Sequence, residues 1–378
     1  MSSSSKSSPE PVISFIVQYF QHPRTLHEIC RRLQHPRIEV IIHADSSTSA
    51  DMVALHGVHA DFANIRVIHS ENIHELRGYN KAARLARGEL LVFSQDDCMP
   101  PEVTDWVGAT LAVFGTMPQT FAALGLSLGS TKLLDPVSWG PVEKRWRAGS
   151  LRPHQMEWRD FVGADQRGDI GGAFCDRLQT TWRRAMAAPN AHQQLSRLPP
   201  ITFAASLVVG PIVMRRSAFE ALGGWNESYS LPGEPGLGME SELVARLWIN
   251  GWSAAVACPT SQTLWRNSCG GAGTRRTRAA RHVRLMRTLR TSRLVSKHLA
   301  ANAARIEKLV WSHNHELLVG EGAVERRSIL RRAWGECVVT CPDVRTAQRA
   351  AYASSDPLCS ERVPIPASRY FSPPQRGR

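Results

Sequence analysis

Three aspartates follow apolar segments that have the length and composition of β-strands. Asp45 comes after Ile38 to Ala44 (IEVIIHA), and Asp96 and Asp97 come shortly after Glu89 to Phe93 (ELLVF). Adjacent carboxylates at the end of an apolar strand repel one another and lose hydration, and a divalent cation relieves both costs. Mg²⁺ and Mn²⁺ prefer oxygen ligands and are often held by one or two carboxylates together with substrate phosphates. These aspartates therefore predict a metal site for a phosphorylated ligand, and the alternative is an ordinary solvated turn.

The segments around these aspartates alternate between strand and helix patterns. Apolar runs of strand length occur at 12–20, 38–44, 65–68 and 89–93, and helical patterns occur at 25–33 and 78–87, with Gly88 expected to end the second helix. Such alternation predicts a parallel α/β sheet. Open sheets of this class bind ligands beyond the carboxyl ends of their strands. We therefore expect Asp45 and Asp97 to lie on the same edge of the sheet.

Four stretches of the sequence, in the correct order, resemble the inverting GT-A glycosyltransferases of family 2. They are EVIIHADSSTSAD, NIRVIHSENIHELRGYNKAARLARGELLVFSQDDCMP, VVGPIVMRRSAFEALGGWNESY and GMESELVARLWINGW. They are similar to the family's strand ending in Asp-Asp-Gly-Ser, its Arg-Gly-x-Asn helix with the following Asp-x-Asp-type cluster, its Gly-Gly-Phe-Asp-Glu segment and its Glu-Asp-x-x-Leu-x-x-Arg helix. The resemblance spans roughly residues 12 to 258. It implies a GT-A (Rossmann-like) α/β fold, with a mostly parallel sheet flanked by helices.

The resemblance also implies a reaction and a role for each matched position. The reaction is transfer of a sugar, with inversion, from a nucleotide-diphosphate donor (a UDP-sugar is the first candidate) to an acceptor hydroxyl. The implied donor-binding residues are Gln18 and Phe20 beside the nucleobase, Asp45 accepting a hydrogen bond from the base, Arg77 contacting the nucleotide and Asp96 facing the ribose. Asp97 is implied to be the ligand of Mn²⁺ or Mg²⁺.

Three positions depart from the family pattern. Ala44 replaces the first aspartate of the second-strand motif, Gln95 leaves the later cluster without its first carboxylate, and Gln18 stands where a small residue or proline is usual. These departures bear on the identity of the donor and on metal affinity. They also keep open a second interpretation, a catalytically inactive relative that binds nucleotide sugars.

An inverting transfer needs a base that removes the proton of the acceptor hydroxyl. The family pattern, counted back from Arg246 and Gly251, predicts this base at Glu240, in the first turn of a helix. The alternative is that Glu240 only interacts with the helix dipole. Glu242 is the second candidate for the base, and Glu234 is the third.

The chain divides into four predicted regions. We predict a disordered leader at 1–10, a GT-A domain at 11–265, a basic helical extension at 266–353 and a disordered tail at 354–378. The domain contains a tryptophan-rich insertion at about 131–200, whose aromatic rings are either core residues or a platform for an acceptor sugar.

The excess positive charge is concentrated in one segment. The chain of 378 residues has a net charge of +13, and residues 243–306 contain twelve Lys and Arg but no Asp or Glu. Arg275 and Arg276 follow a Gly-rich turn and could close over a diphosphate, whereas the later arginines are typical of a surface helix with snorkelling side chains. A third metal ligand at His282 is possible, although a lone histidine there is more typical of the surface. A basic segment also suits peripheral contact with an anionic membrane.

Other classes of protein fit the sequence less well. A nucleotidyltransferase would have a Gly-rich loop after the first strand, where this chain has QYFQHPRT. The basic segment lacks the interleaved aromatic residues and motifs of nucleic-acid-binding modules, so no nucleic-acid partner is expected. The eight scattered cysteines are typical of reduced core residues. The chain has no signal-peptide or membrane-span pattern, which favours a cytoplasmic or peripheral membrane location.

Overall fold

The computed structural model describes two main parts of the chain. The described residues are 11–126 without 46, 72, 103 and 104; 201–257 without 205, 206, 208, 209 and 230–238; 265–267; short helical runs between 302 and 317; and 320–334. The predicted insertion, leader and tail lie outside these residues, and so do Glu234, Arg275, Arg276 and His282. The boundaries of the four predicted regions therefore stay predictions.

The described elements alternate between strand and helix in the first part of the chain. The strands are β1 (Ile13–Tyr19), β2 (Ile38–Asp45), β3 (Ile65–Ser70), β4 (Leu90–Gln95), β5 (Cys98–Met99), β6 (Phe121–Gly125), β7 (Ile201–Phe203), β8 (Ile212–Arg215), β9 (Ser253–Ala257) and β10 (Arg266–Asn267). The helices are α1 (Pro23–Arg32), α2 (Ser49–Asp61), α3 (His74–Ala83), α4 (Asp105–Thr116), α5 (Arg216–Ala221), α6 (Met239–Ile249) and α7 (Ala323–Trp334).

Eight of these strands form one sheet in the order β3-β2-β1-β4-β8-β6-β9-β7. The pairs β3/β2, β2/β1, β1/β4 and β6/β9 are parallel, whereas β8 and β7 are antiparallel to their neighbours. The predicted fold class, a mostly parallel sheet flanked by helices, is therefore confirmed. A separate two-stranded ribbon joins β5 to β10 directly after Asp97.

The helix predicted at 78–87 corresponds to α3, which lies nearer the amino end of the chain. It begins at His74 and ends at Ala83. Glycine disfavours helix interiors, which made Gly78 look like a helix start. The structure places Gly78 inside α3, where the helix lies directly on the sheet. A Cβ atom at Gly78 would lie 2.4 Å from both Gln18 Oε1 and His43 Nδ1. Gly78 therefore allows α3 to approach the sheet closely.

The prediction that Gly88 ends this helix is wrong, because the helix ends five residues earlier. Gly88 lies beside the start of β1, where an added Cβ atom would be 2.6 Å from the backbone nitrogen of Ser14. The Gly88 N–H donates a 2.8 Å hydrogen bond to Ser14 Oγ. Close packing against β1 is therefore the reason for a glycine at this position.

Aromatic side chains and the described end of the chain complete the core. Trp265 stacks on Phe15 and packs edge-on against Trp106 of α4, and α7 packs against α4. Cys30 and Cys98 are free and buried, as predicted for core cysteines. Within the part of the chain that the structure describes, no helix is both long enough and apolar enough to cross a membrane.

Candidate active site

The carboxyl ends of β2 and β4 bring the predicted aspartates to one edge of the sheet. β1 lies between these two strands and is parallel to both, with Tyr19 beside Ala44 and Gln18 beside Gln95. Asp45 is the last residue of β2, and Asp96 and Asp97 directly follow β4. The predicted arrangement of the aspartates on a shared edge is therefore what the structure shows.

Helix α3 covers this edge and contributes a carboxyl group of its own. The Tyr79 hydroxyl donates a 2.9 Å hydrogen bond to the backbone oxygen of Ser94 in β4. Glu75 lies four residues before Tyr79 and therefore on the same face of the helix, about one turn (roughly 5 Å) closer to its amino end. This direction leads past the end of β4 toward Asp96 and Asp97.

The carboxyl groups at this edge repel one another. Burial, followed by the nearby carboxylates of Glu240 and Asp97, raises the pKa of Glu75 to about 8. Burial and the Asp97 carboxylate likewise raise the pKa of Asp96 well above its usual range. The same four acidic residues all help to raise the pKa of the buried Tyr79 hydroxyl. We call Glu75, Asp96, Asp97 and Glu240 the acidic edge.

Two glutamates in the first turn of α6 have different surroundings. Glu242 is 4% exposed and is bound at both carboxylate oxygens by Arg246, at 2.5 and 2.9 Å. Glu240, two residues earlier, is partly exposed and acts electrostatically on Glu75. The ion pair with Arg246 occupies Glu242, and the assignment of the base to Glu240 stays a prediction.

The turn after α5 fixes the position of α3. Arg246 donates hydrogen bonds to the backbone oxygens of Leu222 and Gly224, at 2.8 and 2.9 Å. Gly224 has a φ of +80°, and a Cβ atom there would lie 2.6 Å from the Asn80 side chain. Asn80 in turn exchanges 2.9 Å hydrogen bonds with the backbone of Trp225. The ion pair of α6 is thus linked, through the glycine turn, to the helix that carries Glu75.

Arg77 takes part in the same network. Its Nε lies 3.6 Å from Glu227 Oε2, and one of its terminal nitrogens donates a 3.2 Å hydrogen bond to the Glu227 backbone oxygen. Asn80 also donates to Glu227 Oε1 at 2.9 Å. The described partner of Arg77 is therefore Glu227, and its predicted contact with the nucleotide stays a prediction.

The remaining predicted donor residues also have structural partners. Gln18 is buried beneath α3 and pairs with His43, whose pKa burial lowers to about 4. Both oxygens of Asp45 accept backbone hydrogen bonds from Ile73 and His74, at 3.1 and 2.8 Å. The predicted contacts of Gln18 and Asp45 with a nucleobase stay predictions.

Phe20 and Asp96 are joined directly. The Phe20 N–H donates a 2.7 Å hydrogen bond to Asp96 Oδ2, and the Asp96 N–H donates to the backbone oxygen of Gln18 at 3.1 Å. These bonds tie the loop after β1 to the acidic edge. The expected contacts of Phe20 with the base and of Asp96 with the ribose stay predictions.

The acidic edge offers the type of ligand atom that a hard divalent cation prefers. Its members supply only carboxyl oxygens, which suit Mg²⁺ and Mn²⁺, and the raised pKa of Glu75 reports repulsion that a cation would reduce. Among the described residues, no three His, Cys, Asp or Glu side chains are arranged to bind a metal ion by themselves. The residues therefore fit a cation held by one or two carboxylates and completed by ligand phosphates.

A cavity of about 600 Å³ lies away from the acidic edge, between α3, α5 and the glycine turn. Its walls include Asn80, Arg84, Arg216, Trp225 and Arg246. It shares Asn80 with the network that fixes α3, but none of the acidic-edge residues lines it. The residues that the sequence predicts to do chemistry therefore do not line this cavity.

One segment of the chain matches the model of a known protein family. Residues 22–116, from the loop before α1 to the end of α4, match the model of glycosyl transferase family 2. This segment of the chain is therefore similar to the family 2 glycosyltransferases. The matched segment contains Asp45, Arg77, Asp96 and Asp97, and it also contains Glu75.

Several solved structures are distantly similar to this chain. A mannosyltransferase from Pyrobaculum calidifontis, in complex with GDP-Man and Mn²⁺, has 15% identity over 92% of this chain and 82% of its own, with a TM-score of 0.41. The glucosyl-3-phosphoglycerate synthase of Mycobacterium tuberculosis, in complex with Mn²⁺, UDP-Glc and phosphoglyceric acid, has 14% identity over 78% and 80% of the two chains, with a TM-score of 0.37. No curated protein sequence matches the chain.

The sequence did not reveal that Glu75 belongs to the acidic edge. Glu75 precedes Gly78, where the helix was predicted to begin, so it lies outside the predicted helix. Its neighbour Glu240 lies far away along the chain, and only the fold brings the two together. The available signal was the i, i+4 spacing of Glu75 and Tyr79, which is informative only when the start of α3 is known.

Proposed function

We propose that this chain is a family 2-like glycosyltransferase that moves a sugar, with inversion, from a nucleotide-diphosphate donor to an acceptor hydroxyl, and that a UDP-sugar is the first candidate donor. The observation that supports the proposal is the acidic edge, where the carboxylates of Asp97 and Glu240, from distant parts of the chain, both contribute to the raised pKa of Glu75. A base and a cation-binding carboxylate on one edge are what such a transfer requires.

Each residue of the acidic edge has a proposed task. Glu240 removes the proton of the acceptor hydroxyl as the oxygen attacks the anomeric carbon, and the bond from that carbon to the diphosphate breaks. Asp97, with Asp96 beside it, would hold Mn²⁺ or Mg²⁺. When bound, the cation stabilises the negative charge that develops on the departing diphosphate. The donor site extends from Asp97 along the same sheet edge toward Asp45, Gln18 and Phe20.

The decisive experiment is an assay of hydrolysis and transfer from a panel of UDP- and GDP-sugars with Mn²⁺. The wild-type chain is compared with Asp97→Ala and Glu240→Gln. We expect turnover of at least one donor by the wild type, loss of Mn²⁺-dependent donor binding in Asp97→Ala, and donor binding without turnover in Glu240→Gln. Donor binding without turnover by the wild type would instead favour a catalytically inactive relative.

We also propose that Arg275 and Arg276 contact the diphosphate of the donor. Asn267 of β10 pairs with Cys98, next to Asp97, so the segment that leads to these arginines starts beside the proposed metal ligand. Replacing both arginines with alanine should raise the KM for the donor, with a smaller effect on the KM for the acceptor. An unchanged donor KM would exclude this role.

A further inference from the structure

A chain of side-chain hydrogen bonds beneath α3 ends at Gln18. Lys81 Nζ lies 2.8 Å from Ser70 Oγ, and Ser70 Oγ lies 2.9 Å from His43 Nε2. The other ring nitrogen, His43 Nδ1, lies 2.8 Å from Gln18 Oε1. His43 is fully buried and Gln18 is 6% exposed. We call these four residues the Lys81 relay, and its last side chain stands near the carboxyl end of β1.

The first member of the Lys81 relay favours one direction for every bond in it. An ammonium group can only donate, so Lys81 donates to Ser70 Oγ and to the backbone oxygen of His69, the second at 2.9 Å. Ser70 accepts this bond and donates its own proton to His43 Nε2. Burial lowers the pKa of His43 to about 4, so the ring is neutral at pH 7 and carries one proton. That proton is then on Nδ1, which donates to Gln18 Oε1.

The direction of these bonds decides which atoms of Gln18 are left for a ligand. Because His43 holds the amide oxygen, the two N–H donors of the amide are left over. Among the described residues the amide nitrogen has no hydrogen-bond partner, yet it is not sealed off from solvent. Close packing against Gly78 of α3 limits rotation of the amide. An unpaired donor in a side chain this buried costs free energy unless a ligand supplies an acceptor.

The location of Gln18 connects this donor to the proposed nucleotide site. Gln18 is paired in register with Gln95 of β4, and its backbone oxygen accepts a 3.1 Å hydrogen bond from the Asp96 N–H. A nucleotide whose diphosphate binds at the acidic edge and whose base lies toward β2 meets the amide of Gln18. Uracil and guanine present an exocyclic oxygen, which accepts hydrogen bonds, where cytosine and adenine present an amino group that donates them.

We propose that Gln18 is a specificity-determining residue for the donor, because its amide NH₂ group donates to the exocyclic oxygen of uracil or guanine and disfavours the amino group of cytosine or adenine. Lys81, Ser70 and His43 are positioning residues that keep the amide oxygen turned away from the base. This inference rests on the proposed transferase function. It also gives a task to a glutamine at a position where the family pattern has a small residue or proline.

The test measures binding of UDP, GDP, CDP and ADP to the full chain with Mn²⁺ by isothermal titration calorimetry. Gln18→Glu replaces the amide donor with an acceptor of nearly the same shape. Lys81→Met removes the first donor of the relay and keeps the length of the side chain. Arg84→Met is the matched control, because it removes a positive charge from an exposed side chain directly after α3 and outside the relay.

We expect the wild type to bind UDP or GDP at least about tenfold more tightly than CDP and ADP, which is the usual effect of one paired against one mismatched hydrogen bond. Gln18→Glu should abolish this preference by weakening UDP and GDP, Lys81→Met should reduce it, and Arg84→Met should leave it unchanged. A wild type that binds CDP or ADP as tightly as UDP and GDP would overturn the inference. A folded Gln18→Glu variant that keeps the preference, or that weakens all four nucleotides equally, would also overturn it.

The proton on His43 tests the relay without any nucleotide. Solution NMR of the chain with ¹⁵N-labelled histidine distinguishes the two neutral tautomers, and comparison with His43→Gln assigns the signal. We expect the proton of His43 on Nδ1 at pH 7, with Nε2 unprotonated. A proton on Nε2 would reverse the bonds of the relay and contradict the inference even if the Gln18 variant does not fold.

Nucleotide binding separates this inference from the proposed function. If the wild type binds none of the four nucleotides with Mn²⁺, the transferase proposal fails and the inference falls with it. If the wild type binds nucleotides without regard to the base, only the inference fails. Thermal unfolding of each variant shows whether it is folded.

Discussion

At the amino edge of the sheet, the buried Glu39 receives hydrogen bonds from Ser14 at 2.6 Å, Arg66 at 2.6 Å and Arg87 at 2.6 and 3.0 Å. At the carboxyl edge, Glu75 and Asp96 face further carboxylates. Burial alone would raise the pKa of Glu39, but these hydrogen bonds and charges lower it, whereas burial and like charges raise the pKa of Glu75 to about 8.

The difference separates a carboxylate whose burial is compensated by hydrogen bonds and arginines from carboxyl groups whose neighbours raise their pKa. Glu39 joins the start of β1 to the start of β2 and to the segment before β4, and its partners compensate for its burial. The acidic edge carries an electrostatic cost that the described residues do not offset to the same degree, because burial and neighbouring carboxylates outweigh the hydrogen bond from Phe20. Such costs are concentrated at sites that a ligand completes.

The largest expected effect distinguishes the two glutamates of α6. Glu240→Gln should lower kcat for sugar transfer by roughly 10²- to 10⁴-fold, which is the usual contribution of a general base, with little change in donor affinity. Glu242→Gln is the matched control, because it removes the same charge two residues away but mainly disturbs the Arg246 ion pair. Steady-state kinetics with a donor found in the panel assay measure both. Equal losses of kcat would contradict the assignment of the base to Glu240.

The next effect concerns the stability of the amino edge. Glu39→Gln should lower the free energy of unfolding by about 1–3 kcal/mol, because a buried, charged acceptor of several hydrogen bonds becomes a neutral one. Urea unfolding at pH 7 measures this loss. The loss should shrink as the pH falls toward the lowered folded-state pKa of Glu39, since protonation removes the same interactions in the wild type. If Glu39→Gln left the free energy of unfolding at pH 7 unchanged or raised it, Glu39 would not differ from the carboxyl groups of the acidic edge in this way.

The smallest effect should have the opposite sign at the carboxyl edge. The folded-state pKa of Glu75 is raised from 4.5 to about 8. The contribution of the protonated Glu75 to the free energy of unfolding is therefore complete below pH 4.5 and is lost as the pH rises to 8. Glu75→Gln should therefore match the wild type near pH 4 and be more stable by a few degrees in Tm at pH 8, without metal. Thermal unfolding across this range tests it, and a destabilised variant at pH 8 would show that Glu75 has a structural partner.

The sequence was sufficient for the elements whose residues carry a local signal. The apolar runs of β1, β2 and β4 predict a parallel sheet, and strand direction then places Asp45 and Asp97 on the same edge. The helical pattern of 25–33 corresponds to α1. Gly78 stands where the next helix was predicted to begin, but it lies inside α3. A glycine is required there by close packing against Gln18 and His43, and no local sequence pattern reveals this packing.

The partners of the site residues were the part that the sequence could not supply. Arg77 was assigned to the nucleotide from its motif, but its described partner is Glu227, 150 residues away. The pairing of Glu242 with Arg246, four residues later in α6, likewise becomes clear only from the structure. Long-range pairing of charged side chains is decided by the fold, so motif order predicts where the site lies better than what each side chain contacts.

The central claim is that the acidic edge binds a cation that in turn holds the diphosphate of a sugar donor. A crystal structure of the full chain with Mn²⁺ and UDP or GDP, with anomalous diffraction data that locate the manganese, tests this claim most directly. We predict one anomalous peak at coordination distance from the Asp97 carboxylate and from both phosphates of the nucleotide. A nucleotide bound elsewhere, or manganese that does not contact Asp97, would contradict the account.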